Sequence, residues 1–284
     1  MTEQLEVIDT NLENDNIKLN SDLDHIDMIL TGYETYLNNL SLKELSGCEK
    51  YYLNVGMCYG ISGSEGGFWD KVKETASKTY EMLKNIIKNI ISYFTGDGQK
   101  AIDESKDELG DVIKALKELD ANIPIPEGSK LLKAERYFKP PSVEGLDEES
   151  VKTVNTEINK IDTIVKAVVS SDKIGPLVTQ LEALGNASVS SAQVITDLIK
   201  KISKEADTSI EKMKSPDIPK ENDTKEVQDG KKQETQEDIK QAKTKTNNTK
   251  KLAAIRNKFL APSKVVIGLR NEVEKLKDDK SFKE

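Results

Sequence analysis

The feature that most constrains the fold is an apolar stripe of helical periodicity in residues 19–40. Its members alternate spacings of four and three residues, as the core positions of a coiled coil do. They are Leu19, Leu23, Ile26, Leu30, Tyr33, Leu37 and Leu40. Three heptads are short for an independent coiled coil. The stripe therefore predicts either a helix that self-associates through residues 19–40 or a single amphipathic helix docked on a bundle.

Two further amphipathic stripes flank a turn signal at residues 96–98. The stripe before the turn, in residues 68–94, begins with Trp69, ends with Phe94 and has lysines on its opposite face. Because Gly-Asp-Gly favours a tight turn, the pattern predicts a helical hairpin over residues 68–122. A basic amphipathic helix with aromatic ends also suits a membrane surface, so insertion of residues 68–94 into a membrane is the alternative.

The composition supports long helices rather than sheets. The chain has 16 glycines and 8 prolines in 284 residues, with 5% aromatic and 32% charged residues. Few turn-forming and few aromatic residues argue against a β-sandwich, a barrel or a large α/β enzyme. We therefore predict an all-α protein of extended amphipathic helices, with a helical hairpin, a bundle, a flexible linker and a C-terminal basic helix.

Changes of pattern along the chain divide it into seven segments. A break is expected at Gly185-Asn186 inside the bundle, and a kink or an interruption at Pro262 in the last helix. Residues 214–249 have almost no apolar side chains, which predicts a disordered linker or, in its latter half, a marginal helix. The segments are 1–44 (acidic and coiled-coil-like), 45–67 (glycine-containing hinge), 68–122 (hairpin), 123–146 (proline-containing connection), 147–213 (helical bundle), 214–249 (linker) and 250–284 (basic C-terminal helix).

Charge is distributed unevenly along the chain. Residues 1–44 carry ten acidic and two basic side chains, and therefore the whole net charge of −8. Residues 241–270 carry eight basic side chains and no acidic one. Such asymmetry indicates contact with a nucleic acid or a membrane, or a removable acidic segment, with ordinary surface charge as the alternative.

The basic segment is the candidate binding site. Eight positive charges within thirty residues can contact phosphates without sequence preference. The candidate phosphate-binding residues are Lys243, Lys245, Lys250, Lys251, Arg256, Lys258, Lys264 and Arg270. Phe259 is the only aromatic residue in this segment, so recognition of particular bases is not expected.

The sequence contains little material for catalysis. Its one histidine, His25, lies between positions of the apolar stripe, where a solvated flank residue is expected. The glycine-rich residues 60–66 lack the preceding strand and the Lys-Ser/Thr of a phosphate-binding loop. Carboxylate pairs such as Asp103 and Asp107 lie opposite an apolar stripe, whereas a metal site in a bundle needs inward-facing ligands. We therefore predict no catalytic residue, no cofactor and no metal site.

The order of these parts resembles that of the internal head proteins, also called prohead core or internal virion proteins, of large tailed bacteriophages. The matching parts are the acidic segment 1–44, the glycine-containing transition, the basic helix that contains Trp69, its Gly-Asp-Gly turn and the basic tail. The resemblance implies a non-enzymatic protein that is packaged with DNA inside the capsid. Its implied partners are the capsid or the packaged DNA, bound without sequence preference, and a host protein after ejection into the host cytoplasm.

The resemblance also implies a processing site. In that family a prohead protease commonly removes an acidic N-terminal propeptide after a Leu/Ile-x-Glu sequence. Leu42, Lys43 and Glu44 match this pattern at the point where the acidic segment ends. The pattern recurs elsewhere, as at Leu116-Lys117-Glu118, but here it coincides with the charge boundary. Cleavage after Glu44 would change the net charge from −8 to zero.

Three functions follow from these patterns. The first is a virion-internal protein that is ejected into the host and acts there by binding, for example against a host defence. The second is a membrane-active protein that inserts residues 68–94, although no stretch of 18 apolar residues occurs and no secretory signal is expected. The third is a cytoplasmic coiled-coil adaptor that associates through residues 19–40.

Overall fold

The computed structural model describes residues 21–22, 24–31, 34, 68–212 and 225–278. Regular structure in these residues is helical, which confirms the all-α prediction. Residues 21–22, 24–31 and 34 are helical, and a 3₁₀ turn spans Lys130–Leu132. The remaining helices are α1 (Phe68–Thr95), α2 (Asp97–Lys117), α3 (Ala134–Tyr137), α4 (Glu148–Val169), α5 (Ile174–Lys212), α6 (Lys225–Gly268) and α7 (Arg270–Asp278).

The described residues fall into two compact units. Unit 1 takes those up to Ser92 and those within Lys200–Lys250, and unit 2 takes Tyr93–Ile199 and those from Lys251 onward. This division differs from the predicted segments, because α5 contributes residues to both units. The predicted bundle 147–213 is therefore split at Ile199, and the predicted start of the last helix at residue 250 lies inside α6.

Unit 1 has an apolar core built from four stretches of helix. Its described core side chains are Ile26, Ile29, Leu30, Tyr80, Leu83, Ile87, Ile90, Ile202, Ala206, Ile210, Ile239 and Ala242. Ile26 and Leu30 belong to the predicted seam of residues 19–40, and both are buried within this unit. The other five seam residues, Leu19, Leu23, Tyr33, Leu37 and Leu40, lie outside the described residues.

Unit 2 contains the larger set of buried apolar side chains, on α2, α4, α5, α6 and α7. Helix α4 begins where the side chain of Asp147 accepts a hydrogen bond from the Ser150 amide at 2.8 Å, which caps the helix. Its buried face consists of Val154, Ile161, Val165 and Val168. On α6, Phe259 stacks on Phe138 with ring centroids 5.9 Å apart.

The proline-containing connection 123–146 is anchored to the rest of unit 2 by polar contacts. The amide of Ile125 donates to the carbonyl of Asp172 at 2.8 Å. Arg136 forms a bidentate ion pair with Glu272, and this guanidinium lowers the pKa of the Glu272 carboxyl. The hydroxyl of Tyr137 donates to the carbonyl of Leu131, and burial raises the pKa of Tyr137 to about 12.

The predicted break at Gly185-Asn186 is wrong, because α5 runs without interruption from Ile174 to Lys212. Gly185 is buried, and a Cβ atom at this position would lie 2.5 Å from both methyl carbons of Leu109 on α2. The glycine therefore permits a close approach between two helices and does not end one of them.

Of the two alternatives for residues 214–249, the structure shows a helix in the latter half and not a disordered linker there, because α6 begins at Lys225 and continues to Gly268. Two apolar side chains of this stretch, Ile239 and Ala242, are buried in unit 1. Their burial stabilises a helix whose apolar periodicity is weak. Residues 213–224 lie outside the described residues.

Helix α6 passes through Pro262 with the help of a serine from α5. Proline lacks the amide hydrogen and disturbs the helical hydrogen bonds of the preceding turn. Here the amide of Ser263 donates to the hydroxyl of Ser188 at 3.1 Å, and that hydroxyl donates to the carbonyl of Phe259. Ser188 therefore bridges the donor and the acceptor of one turn, and the expected interruption is absent.

The substitution Gly185→Ala tests the close approach of α5 and α2. We expect it to lower the free energy of unfolding, because overpacking against buried Leu109 costs about 1–3 kcal/mol and outweighs the better helix propensity of alanine. The matched control is Gly110→Ala on the exposed face of α2, where a Cβ meets no atom within 4 Å. That variant should gain about 1 kcal/mol. Urea denaturation measures both, and a gain in both variants would contradict the interpretation.

Candidate functional site

Two lysines of α6 in unit 1 bind carboxylates from the acidic N-terminal end of the chain. Lys243 Nζ lies 2.6 Å from Glu34 Oε2, and Lys250 Nζ pairs with Asp24 Oδ1. Lys250 follows Lys243 by seven positions, which is about two helical turns, so both lysines point to the same side of α6. Because residue 24 lies at residue 250 and residue 34 at residue 243, the N-terminal stretch runs antiparallel to α6.

We call residues 24–31 together with Glu34 the acidic strap. The strap buries Ile26, Ile29 and Leu30 and exposes Met28, so its apolar side faces the unit 1 core. Burial of such side chains stabilises by about 1.5–3 kcal/mol each, whereas an exposed ion pair contributes about 0–1 kcal/mol. The apolar side chains hold the strap in place, and the two ion pairs align it with the lysines.

The side of α6 that is buried within unit 1 is unusually polar near the strap. Thr246, Asn248 and Thr249 are all buried. The hydroxyl of Thr246 donates to the carbonyl of Ala242 at 2.9 Å, and that of Thr249 to the carbonyl of Lys245 at 3.0 Å. Because these hydroxyls bond to their own helix, their hydrogen bonds do not depend on the strap.

The structure divides the eight predicted phosphate-binding residues between the two units. Besides Lys243 and Lys250, unit 1 contains Lys245, which pairs with Glu205 on α5. The other five lie in unit 2. There Lys251 donates to the carbonyl of Glu144 at 3.1 Å, and Arg270 pairs with Glu274 at 2.9 Å. Lys258 is exposed, Lys264 is half-buried, and Arg256 is fully buried.

Arg256 corrects the sequence prediction, because a phosphate cannot reach it. The residue is 1% exposed, and its guanidinium lies 5.8 Å from the centroid of the Phe94 ring. Its Nε donates to the hydroxyl of Thr196 at 2.9 Å, and its Nη2 donates to the carbonyl of Gly98. Burial lowers the pKa of Arg256. The guanidinium thus joins α6 to α5 and to the start of α2 inside unit 2.

The substitution Arg256→Lys tests this structural role. An ammonium group cannot reproduce the planar fork that reaches two acceptors, and it is more strongly hydrated than a guanidinium. We expect the free energy of unfolding to fall by about 2–4 kcal/mol. The same substitution at exposed Arg270 should change it by less than about 0.5 kcal/mol. Equal effects in urea denaturation would show that the buried hydrogen bonds of Arg256 do not contribute more to stability than an exposed arginine does.

A second polar cluster, which the sequence analysis missed, lies in unit 1. Ser203, Asp207 and Glu211 are spaced four residues apart on α5, and Lys84 on α1 lies 3.5 Å from Glu211 and 2.6 Å from the Tyr80 hydroxyl. Among the described residues, none bonds to the buried Asp207 Oδ1 or to the buried Ser203 Oγ. Burial, followed by the charge of Glu211, raises the pKa of Asp207. In the sequence, the four-residue spacing of Ser203, Asp207 and Glu211 was the signal that could have indicated this cluster.

The raised pKa of Asp207 predicts a pH-dependent effect on stability. Above this raised pKa the folded protein carries the full cost of the buried charge, and below the ordinary aspartate pKa the cost is gone. We therefore expect Asp207→Asn to raise the Tm at pH 7, by a margin that shrinks as the pH falls towards 4. Asp111→Asn, on the exposed face of α2, is the control. A margin that grows as the pH falls would refute the assignment.

The other sites considered in the sequence are the histidine, the processing site, a metal site and a membrane-spanning helix. His25 is half-buried on the acidic strap, whereas Leu42, Lys43 and Glu44 lie outside the described residues. Within the described part of the chain, no three His, Cys, Asp or Glu side chains are grouped as a metal ion would require. The helices described here also include none with the length and apolar character needed to cross a bilayer.

No protein-family model, curated protein or solved structure matches the chain. The functional proposal therefore depends on the resemblance in the order of its parts and on the contacts of its charged residues.

Proposed function

We propose that the chain is a non-enzymatic protein of the interior of a tailed-bacteriophage virion, packaged with DNA and ejected into the host, where it acts by binding. The observation that carries this proposal is the pairing of the acidic N-terminal end with the basic segment, through Asp24 with Lys250 and Glu34 with Lys243. It supports a protein whose lysines are neutralised before processing and become available afterwards.

Removal of residues 1–44 would change three properties at once. It takes the net charge from −8 to zero, frees Lys243 and Lys250 from their carboxylates, and removes Ile26, Ile29 and Leu30 from the unit 1 core. Each phosphate that a freed lysine then neutralises releases counterions and strengthens binding at low salt. Cleavage after Glu44 would therefore act as a switch from a self-contained protein to one with affinity for polyanions.

The two alternative functions have less support from the described contacts. Insertion of residues 68–94 into a membrane would require Tyr80, Leu83, Ile87 and Ile90, which are buried in unit 1, to become exposed. Self-association through residues 19–40 would require Ile26 and Leu30, which are buried within the same chain. Both functions require buried side chains of unit 1 to become exposed in the intact chain, whereas the virion proposal starts from the observed pairing and changes unit 1 only after cleavage.

Mass spectrometry of purified particles tests the proposal. The particles are those produced by the genome that encodes this chain, treated with protease and nuclease so that only the capsid interior is sampled. We expect the chain inside DNA-filled capsids, with Leu45 as its first residue, because Leu42-Lys43-Glu44 precedes the cleaved bond. Empty procapsids should contain the form with residues 1–44.

Two results would count against this function. Absence of the chain from protease-treated particles would refute its location in the virion. Presence of the chain only in the form that retains residues 1–44 would refute processing after Glu44. A Glu44→Gln variant serves as the matched control, since it should be packaged but remain uncleaved.

A further inference from the structure

Four side chains of α6 form a continuous polar strip within unit 1. Lys240, Lys243, Asn247 and Lys250 follow one another at intervals of three and four residues and therefore share one side of the helix. We call these four residues the basic strip. It extends over eleven residues, and its first and last residues are about 15 Å apart along the helix axis. Lys240 and Asn247 are exposed, whereas Lys243 and Lys250 hold Glu34 and Asp24 of the acidic strap.

The two paired lysines are far enough apart to contact separate phosphates. Lys243 and Lys250 are about 10 Å apart along α6. One strand of duplex DNA carries a phosphate about every 3.4 Å along the axis and winds around that axis, and each lysine has a flexible four-carbon stem that can adjust to this spacing. Lys243 and Lys250 can therefore each contact a different phosphate of one strand in place of their carboxylates.

Both ion pairs are accessible to solvent and ions. The side chains of Asp24 and Lys250 are 59% and 41% exposed, and those of Glu34 and Lys243 are 37% and 22% exposed. Pairs of this kind are screened by salt and exchange partners at little cost. The hydroxyls of Thr246 and Thr249, on the buried side of α6, keep their backbone partners whether or not the strap is present.

We propose that the basic strip is a binding surface for the backbone of duplex DNA, and that the acidic strap is an intramolecular competitor that covers it. DNA and the strap exclude each other, because both use Lys243 and Lys250. The inference rests on the proposed function for the choice of polyanion, and it adds the residues that make the contact and the segment that regulates it.

A DNA backbone suits the basic strip better than an anionic membrane does. Interfacial membrane helices combine basic residues with aromatic or aliphatic side chains that enter the bilayer. The basic strip consists of three lysines and one asparagine, which are donors without an apolar group to insert. A row of donors on one side of a helix can contact phosphates of a strand, and such contacts predict binding without base preference.

The test uses the full-length protein and a 30-base-pair duplex of mixed sequence, with binding followed by fluorescence anisotropy. The double variant Asp24→Asn/Glu34→Gln releases both lysines. We expect its affinity for the duplex at 50 mM salt to exceed that of the wild type about tenfold, the effect of removing two exposed ion pairs. The control Asp103→Asn/Asp107→Asn changes the net charge equally on α2, and it should shift the affinity by less than about threefold.

A second set of variants locates the binding surface. Adding Lys243→Gln and Lys250→Gln to the released variant should abolish the gain and reduce the salt slope of log K by about two. Leu30→Ala loosens the strap without altering any charge, and it should also increase the affinity. Circular dichroism of each variant verifies that the helical content is retained.

Three outcomes would overturn the inference. Equal gains in the strap variant and in the α2 control would show a general effect of net charge. A gain that survives Lys243→Gln and Lys250→Gln would place binding elsewhere. Tighter binding of the released variant to phosphatidylserine vesicles than to the duplex would assign the basic strip to a membrane. Absence of the chain from purified particles would refute its location in the virion but would not affect these binding results. The two proposals can therefore fail separately.

Discussion

The contact between the acidic strap and α6 joins the apolar core of unit 1 to its basic surface. Its ion pairs join Asp24 to Lys250 and Glu34 to Lys243, and its apolar side places Ile26 and Leu30 in the core. The two oppositely charged ends of the sequence thus meet in the fold. A stretch that contributes core side chains and masks lysines couples the stability of unit 1 to the availability of its basic surface.

Helical periodicity predicted much of the fold, because the apolar residues that a helix buries recur at a regular spacing in the local sequence. The predicted start of the helical bundle at residue 147 was visible in this way, and α4 begins at Glu148. Contacts between distant elements were not. Gly185 looks like a helix breaker until Leu109, far along the chain, is seen against it. Arg256 looks like a surface cation until Thr196 and the carbonyl of Gly98 are seen to receive its hydrogen bonds.

The candidate site was predicted in part for the same reason. Composition singled out Lys243 and Lys250 within the basic segment, but the partners Glu34 and Asp24 are 209 and 226 residues away. No local pattern connects such positions. The sequence leaves the first half of α6 open between a linker and a marginal helix, because this stretch is rich in charge and has a weak apolar stripe. Burial of Ile239 and tertiary ion pairs supply the stabilisation that propensity does not show.

Hydrogen–deuterium exchange of the full-length protein, with and without duplex DNA, tests the competition between the acidic strap and the DNA backbone most directly. If DNA replaces the strap on α6, the amides of residues 24–31 should exchange faster when the duplex is present, because the strap has been released. The amides of α2 should exchange at the same rate in both conditions. Unchanged or slower exchange in residues 24–31 under saturating DNA would contradict the account.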